Sequence, residues 1–203
     1  SDYAWDGNES DHLETEKVKP MGVYGYTKAC GDTFAAQARH YIIRTSWLIG
    51  DNLPTDNKNN FVKTMANLAV KGVSPKVVCD QYGRLTFASE LSKAILHLIQ
   101  TKPEYGIYNV SNDGEVRDWC KLADMVFTLV GKSFPEMEVP EVWPISTREY
   151  VSGKDNIAPR PKNSDFNLDK IKSTGFIPSD YEPLLESYVQ GLCKEFTQIK
   201  GVV

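Results

Sequence analysis

The chain has 203 residues, 41% of them hydrophobic and 25% charged, with a formal net charge of −4 and a pI near 5.5. That length supports one sizeable core, or a domain and a lobe. The acidic balance leaves no cationic excess to displace counterions from a nucleic acid or to hold an anionic membrane, and no apolar run approaches the roughly 20 residues that span a bilayer.

Residues 1–20 are polar and acidic and end in Pro20, which predicts a strand end followed by a loop. Residues 24–39 read as a helix, with Ala29, Phe34, Ala35 and Ala38 as its packing positions. The β-branched and aromatic run 40–50 reads as one largely buried strand closed by Gly50, and residues 51–60 as a polar loop. Phe61, Met65, Leu68 and Ala69 recur at helical spacing, with Gly72 as the stop. A short strand is expected at Val77 and Val78. Ser89 reads as the N-cap of a helix with Leu91, Ile95, Leu98 and Ile99 on one face. Residues 106–110 form a short strand in this reading. Asp118 caps a helix with Trp119, Leu122, Val126 and Leu129 inward and Gly131 at its C-terminal end. Residues 133–165 are proline-rich and read as irregular, with strand character near 142–146. The last helix carries Leu184, Leu185, Tyr188, Val189 and Leu192. Strand, helix, strand and then mixed small elements make the chain α/β.

The cysteines (Cys30, Cys79, Cys120, Cys193) form no CxxC pair and read as free thiols of a reducing cytoplasm. His12, His40 and His97 are scattered, so no metal site is expected. The Asn-x-Ser sequences at Asn8 and Asn109 match glycosylation acceptors but lie in a chain with no secretory features, and are read as chance.

Tyr24 and Lys28 stand four residues apart, about one helical turn, so both side chains emerge on one face. A fixed ammonium beside a phenol favours the phenolate and makes a proton donor suited to a carbonyl oxygen that receives hydride at its carbon. Taken by itself the spacing also fits an aromatic ring packed on a lysine stem. No strand–Gly-x-Gly-x-x-Gly–helix turn occurs, although a dinucleotide site normally needs one for its pyrophosphate. The chain therefore reads as the C-terminal part of something larger, with the cofactor cradle elsewhere.

Six blocks of residues carry a resemblance. They are Ser1-Asp2-Tyr3-Ala4-Trp5-Asp6-Gly7; Val23-Tyr24-Gly25-Tyr26-Thr27-Lys28-Ala29-Cys30-Gly31-Asp32; Arg44-Thr45-Ser46-Trp47; Asn59-Asn60-Phe61-Val62-Lys63-Thr64-Met65; Asp80-Gln81-Tyr82-Gly83-Arg84-Leu85-Thr86; and Arg160-Pro161-Lys162-Asn163-Ser164. In order and spacing they resemble the dTDP-4-dehydrorhamnose reductases, a family of extended short-chain dehydrogenase/reductases. Leu85 stands where that family usually has proline, Asp32 where it has glutamate, and residues 152–157 lengthen the loop before Arg160. The resemblance implies the C-terminal part of a Rossmann-like fold with a small mixed α/β substrate-binding lobe. Residues 1–50 would be the remnant of the Rossmann-like half carrying the Tyr-x-x-x-Lys helix. Residues 51–203 would be mainly the lobe, with returns to the Rossmann sheet.

The implied reaction is NAD(P)H-dependent reduction of dTDP-4-dehydro-L-rhamnose to dTDP-L-rhamnose, with the isolated chain expected to be inactive. Tyr24 would be the general acid, Lys28 the cation that favours its phenolate and holds the nicotinamide ribose, and Ser1 a hydroxyl on the ketone. The substrate contacts would be Asp2, Tyr3 and Gln81 on the sugar, Trp47 on the base, and Asn60, Lys63, Arg84 and Arg160 on the diphosphate. NADPH and NADH stay equally open. Mg²⁺ assists dimerisation in some relatives, but no ligands for it are placed here. A homodimer and a fusion to an upstream epimerase or nucleotide-binding segment are further implications. Two alternatives remain at this stage: a non-catalytic nucleotide-sugar-binding or regulatory homologue, and another nucleotide-sugar epimerase or dehydratase. Tyr3 stands where a dehydratase would carry the second acid of its pair.

Overall fold

The structure is a computed structural model that describes residues 1–50, 59–155 and 157–200. A 3₁₀ turn (Asp2–Ala4) leads through an extended loop into α1 (Val23–Ala35). Then come β1 (Tyr41–Arg44), β2 (Leu48–Ile49), α2 (Phe61–Val70), β3 (Lys76–Val78), β4 (Tyr82–Gly83), β5 (Thr86–Phe87) and α3 (Ala88–Thr101). The rest is β6 (Gly106–Asn109), β7 (Arg117–Asp118), α4 (Trp119–Ser133), β8 (Trp143–Ile145), α5 (Thr147–Val151), α6 (Asp169–Ser173) and α7 (Tyr181–Lys200). β1 pairs with β6, β2 with β5 and β3 with β8, each in parallel. Parallel neighbours need long crossovers, here largely helical, so the chain is α/β as its element order predicts. No helix among the described residues is long and apolar enough to cross a membrane.

The chain divides into two interleaved units. The first holds Ser1–Ile49, Gln81–Val116 and Gly153–Tyr181; the second holds Gly50–Asp80, Arg117–Ser152 and Glu182–Val203. In the first, β1 and β6 run in register from Tyr41↔Gly106 to Arg44↔Asn109. Around them Trp5, Leu98, Tyr108, Val110, Phe166 and Ile171 form the core, each at most 2% exposed. Side chains of this size each gain about 1.5–3 kcal/mol from full burial. α3 starts at Ala88 after Phe87, so Ser89 lies inside the helix rather than capping it. Its inward residues are Glu90, Ala94 and Leu98, while Ile95 and Ile99 are exposed, against the expected face. The buried Glu90 carboxylate accepts the Ser179 backbone N–H at 2.8 Å, and Asn112 bridges the Phe87 N–H and the Ser179 carbonyl. These bonds fix the rotation of α3, and polar partners of that kind are invisible to an apolar periodicity.

In the second unit α2 packs on α4, with Phe61 and Trp119 ring centroids 4.6 Å apart. The Asp118 side chain caps α4 by accepting the Lys121 N–H at 2.8 Å, as expected. Leu122 and Val126 are buried, whereas Leu129 is half-exposed and Val130 takes the inward position. Gly131 is inside the helix rather than at its end, and an added Cβ would sit 3.0 Å from Val139. The stretch expected to be irregular contains β8 and α5, the latter closed by a reciprocal cap between Ser146 and Glu149. Five residues are too few for a helical period, but the Ser-x-x-Glu spacing was a readable start signal.

Two further expectations are corrected. α1 stops at Ala35, and Phe34, Ala35 and Ala38 are exposed; only Gly25 and Ala29 are buried. The single strand predicted over 40–50 is two, β1 and β2, broken where Trp47 takes a φ of +44°. Most of the polar loop predicted at 51–60 lies outside the described residues. The Asn109 acceptor sequence is buried in β6, its amide donating to the His12 carbonyl at 2.8 Å.

Candidate active site

The first residues form a self-capped turn. The Ser1 hydroxyl accepts the Tyr3 N–H at 3.3 Å and donates to Asp2 Oδ1 at 3.3 Å. The other Asp2 oxygen accepts the Ser164 hydroxyl at 2.8 Å in a buried setting. Burial pushes the Asp2 carboxyl above its ordinary range, and the Ser164 bond only partly offsets this. Gly7 brings the following loop against the 161–163 backbone: at a φ of +70°, an added Cβ would lie 2.5 Å from the Lys162 nitrogen and 2.7 Å from that of Asn163. The Ser1–Gly7 segment and the Arg160–Ser164 loop are thus held together by one buried hydrogen bond and one close backbone approach.

α1 presents Tyr24 and Lys28 beside this turn. The Tyr24 ring meets the Tyr3 ring edge-on, with centroids 5.2 Å apart and planes at 88°. The Lys28 ammonium lies 5.5 Å from the Tyr24 ring centroid. Both side chains are exposed on the same helical face, the juxtaposition expected from their spacing. Burial raises the Tyr3 phenol above its usual value, and the nearby Arg160 charge pulls it back. Arg160 itself is exposed.

The base of α1 is anchored from below. Asp32 accepts from Arg44 Nε at 3.0 Å, and the Arg44 guanidinium lies 4.8 Å from the Trp5 ring centroid. On Trp5 the His12 ring stacks at 4.7 Å with an interplanar angle of 11°, and His12 Nδ1 bonds Glu16 at 2.8 Å. The result is a continuous stack from α1 through β1 to the first loop.

The other expected site residues are less uniform. The half-buried Trp47 ring lies on Gly83, where an added Cβ would come within 2.8 Å of it. Gln81 is buried. Arg84 donates from Nε to the Gly114 carbonyl at 3.0 Å and from Nη1 to the Phe166 carbonyl at 3.2 Å, and lies 3.0 Å from the Asp165 carboxylate, off the hydrogen-bonding direction. Two of its five N–H donors are thereby spent inside the first unit. Asn60 and Lys63 belong to the second unit. Asn60 caps α2 by accepting the Lys63 N–H at 2.9 Å, and its amide donates to the Tyr188 hydroxyl at 2.7 Å. Sequence reading passed over Ser164, Gly7, Gly25 and the Asp32–Arg44–Trp5 anchor, although all lie within or beside the quoted blocks. No three His, Cys, Asp or Glu side chains gather as a metal site among the described residues.

Residues 1–193 match the family described as the RmlD substrate binding domain. A dTDP-4-dehydrorhamnose reductase of Aggregatibacter actinomycetemcomitans is 32% identical over 196 residues, covering 92% of this chain and 63% of that protein. The Escherichia coli K12 dTDP-4-dehydrorhamnose reductase is 32% identical over 85% of this chain and 56% of its own length. Among solved structures, the Bacillus anthracis dTDP-4-dehydrorhamnose reductase in complex with NADP is 33% identical at a TM-score of 0.75, covering 92% of this chain and 62% of that one. A Bacillus anthracis dTDP-glucose 4,6-dehydratase shares the fold at a TM-score of 0.72 with 16% identity. The chain spans less than two thirds of the length of the reductases it matches.

Proposed function

Because this chain belongs to the RmlD substrate binding domain family, we propose that it forms the proton-delivering part of an NAD(P)H-dependent reductase that converts dTDP-4-dehydro-L-rhamnose to dTDP-L-rhamnose. The observation that carries this reading is the exposed Tyr24 phenol, set edge-on against Tyr3 with the Lys28 ammonium over its ring. A packed structural tyrosine would have its hydroxyl committed inside a core; this one is 53% exposed.

In this proposal the Tyr24 phenol gives its proton to O4 of the sugar as C4 is reduced, so no free alkoxide forms. Lys28 compensates the charge left on the phenolate. Its exposed ammonium has no ion pair among the described residues and fits the hydroxyls of a nicotinamide ribose. The cofactor, when bound, supplies the hydride. To orient the ketone, Ser1 turns its single hydroxyl proton from Asp2 Oδ1 to the ketone oxygen when substrate binds. Asp2, itself bonded to Ser164, holds that hydroxyl until then. Tyr3 and Arg160, close enough for the Arg160 charge to act on the Tyr3 phenol, take the sugar and the diphosphate. Trp47, packed on Gly83, offers its ring to the thymine, and Gln81 offers its amide to the sugar. Arg84 and Asn60 hold their loops through the donors engaged there.

The test is a coupled assay on the intact parent protein with dTDP-4-dehydro-L-rhamnose. Stoichiometric loss of NADPH absorbance with appearance of dTDP-L-rhamnose is the expected result. Turnover of a nucleotide sugar with no net NADPH consumption would replace this reading by an epimerase or dehydratase.

A further inference from the structure

Gly25 is the third residue of α1, in its first turn, where glycine still gives up more backbone freedom than alanine would. Its backbone is ordinary helix, since its φ is not among the positive values, so conformational freedom does not explain it. Space does. A Cβ built there would overlap the Tyr3 carbonyl oxygen, lie 3.2 Å from the Tyr3 carbonyl carbon and come within 2.9 Å of the Pro20 Cβ. A carbonyl in a hydrogen-bonded turn cannot rotate aside as a flexible side chain can. Gly25 and Ala29 are the two buried residues of α1, so Gly25 is half of the seat on which this helix rests. Its neighbour in sequence is Tyr24, whose ring is edge-on to Tyr3, the residue whose carbonyl Gly25 touches.

We propose that Gly25 is a positioning residue for proton transfer: the missing Cβ sets the separation between the Tyr24 phenol and the Ser1–Tyr3 turn. The proposal rests on the reductase reading for its kinetic consequence but not for its geometry. To clear the Tyr3 carbonyl oxygen, an added methyl group has to lift α1 by about 1 Å. A displacement of that size costs on the order of a hundredfold in rate when it separates reacting groups. The helix yields and the fold survives, because most of α1 is exposed. The substrate contact proposed at Trp47 lies off α1 and keeps its place.

The experiment compares the intact parent protein with its Gly25→Ala variant, by steady-state kinetics and by NMR cross-peaks between the Tyr3 and Tyr24 ring protons. The expected result is a variant that folds, a kcat lower by about a hundredfold with the sugar-nucleotide KM within about threefold, and loss of the Tyr3–Tyr24 cross-peaks. Unchanged kcat, a KM that rises as far as kcat falls, intact cross-peaks or a variant that does not fold would each overturn the proposal. If the unmodified parent shows no reductase turnover, the functional reading fails. The cross-peaks then decide the positioning claim alone: their loss in Gly25→Ala supports it and their persistence overturns it.

Discussion

Replacing Arg44 by methionine probes the anchor beneath the Tyr24 helix. Arg44 is 3% exposed and pairs with Asp32 at 3.0 Å, while Asp32 retains 20% exposure. Removing one partner of a fully buried pair costs about 3–5 kcal/mol; the partial exposure of Asp32 puts this case at about 3. The guanidinium also stacks on Trp5, 4.8 Å from its centroid. Such a desolvated cation–π contact is worth about 2 kcal/mol, of which a methionine sulfur on the same ring restores about half. Against this, Arg44 Nη1 is buried with no hydrogen-bond partner among the described residues, and its removal returns about 1 kcal/mol. The net loss is about 3 kcal/mol, or about 6–12 °C in Tm for a chain of this size. Thermal melts of the four-member cycle with Asp32→Asn measure it. In the Asp32→Asn background the cost of Arg44→Met should fall by at least about 1 kcal/mol. A melt within about 2 °C of the unmodified chain, or the same cost in both backgrounds, would refute the assignment of Arg44 as the link between α1 and Trp5.

Three other outcomes are expected. Tyr24→Phe in the parent protein should lower kcat by about 10²–10⁴-fold with KM nearly constant, since the phenol acts in the transition state; steady-state kinetics decide it, and an unchanged kcat removes Tyr24 from its role. Asp2→Asn should raise Tm at pH 7 and have little effect near pH 4. Burial raises the folded-state pKa of Asp2, so its contribution is present at low pH and is lost as pH rises through that value, and the amide keeps an acceptor for Ser164; melts across pH 4–7 test the sign. Burial pushes the Cys120 thiol up to about 11, so iodoacetamide at pH 8 should label the exposed Cys30 and spare Cys120 until urea is added, as read by peptide mass spectrometry.

Features whose physics is local were legible along the chain. Asp118 before α4 and the i, i+4 spacing of Tyr24 and Lys28 act through a single helical turn, and the structure shows each as its sequence predicts. The α/β class was legible because strand and helix periods alternate along the chain. Tertiary structure alone decided which way α3 faces, because Glu90 and Asn112 find partners far away in sequence at Ser179. It alone broke the 40–50 strand at Trp47, spent two Arg84 donors on the backbone of Gly114 and Phe166, and tied Asp2 to Ser164 across 162 residues. It also turned Gly25 from a poor helix residue into the place where a helix rests on a carbonyl. Propensity and spacing report what a residue meets within a turn or two of itself. Contacts between distant segments depend on where the whole chain brings them, and that is fixed by the packing of the core.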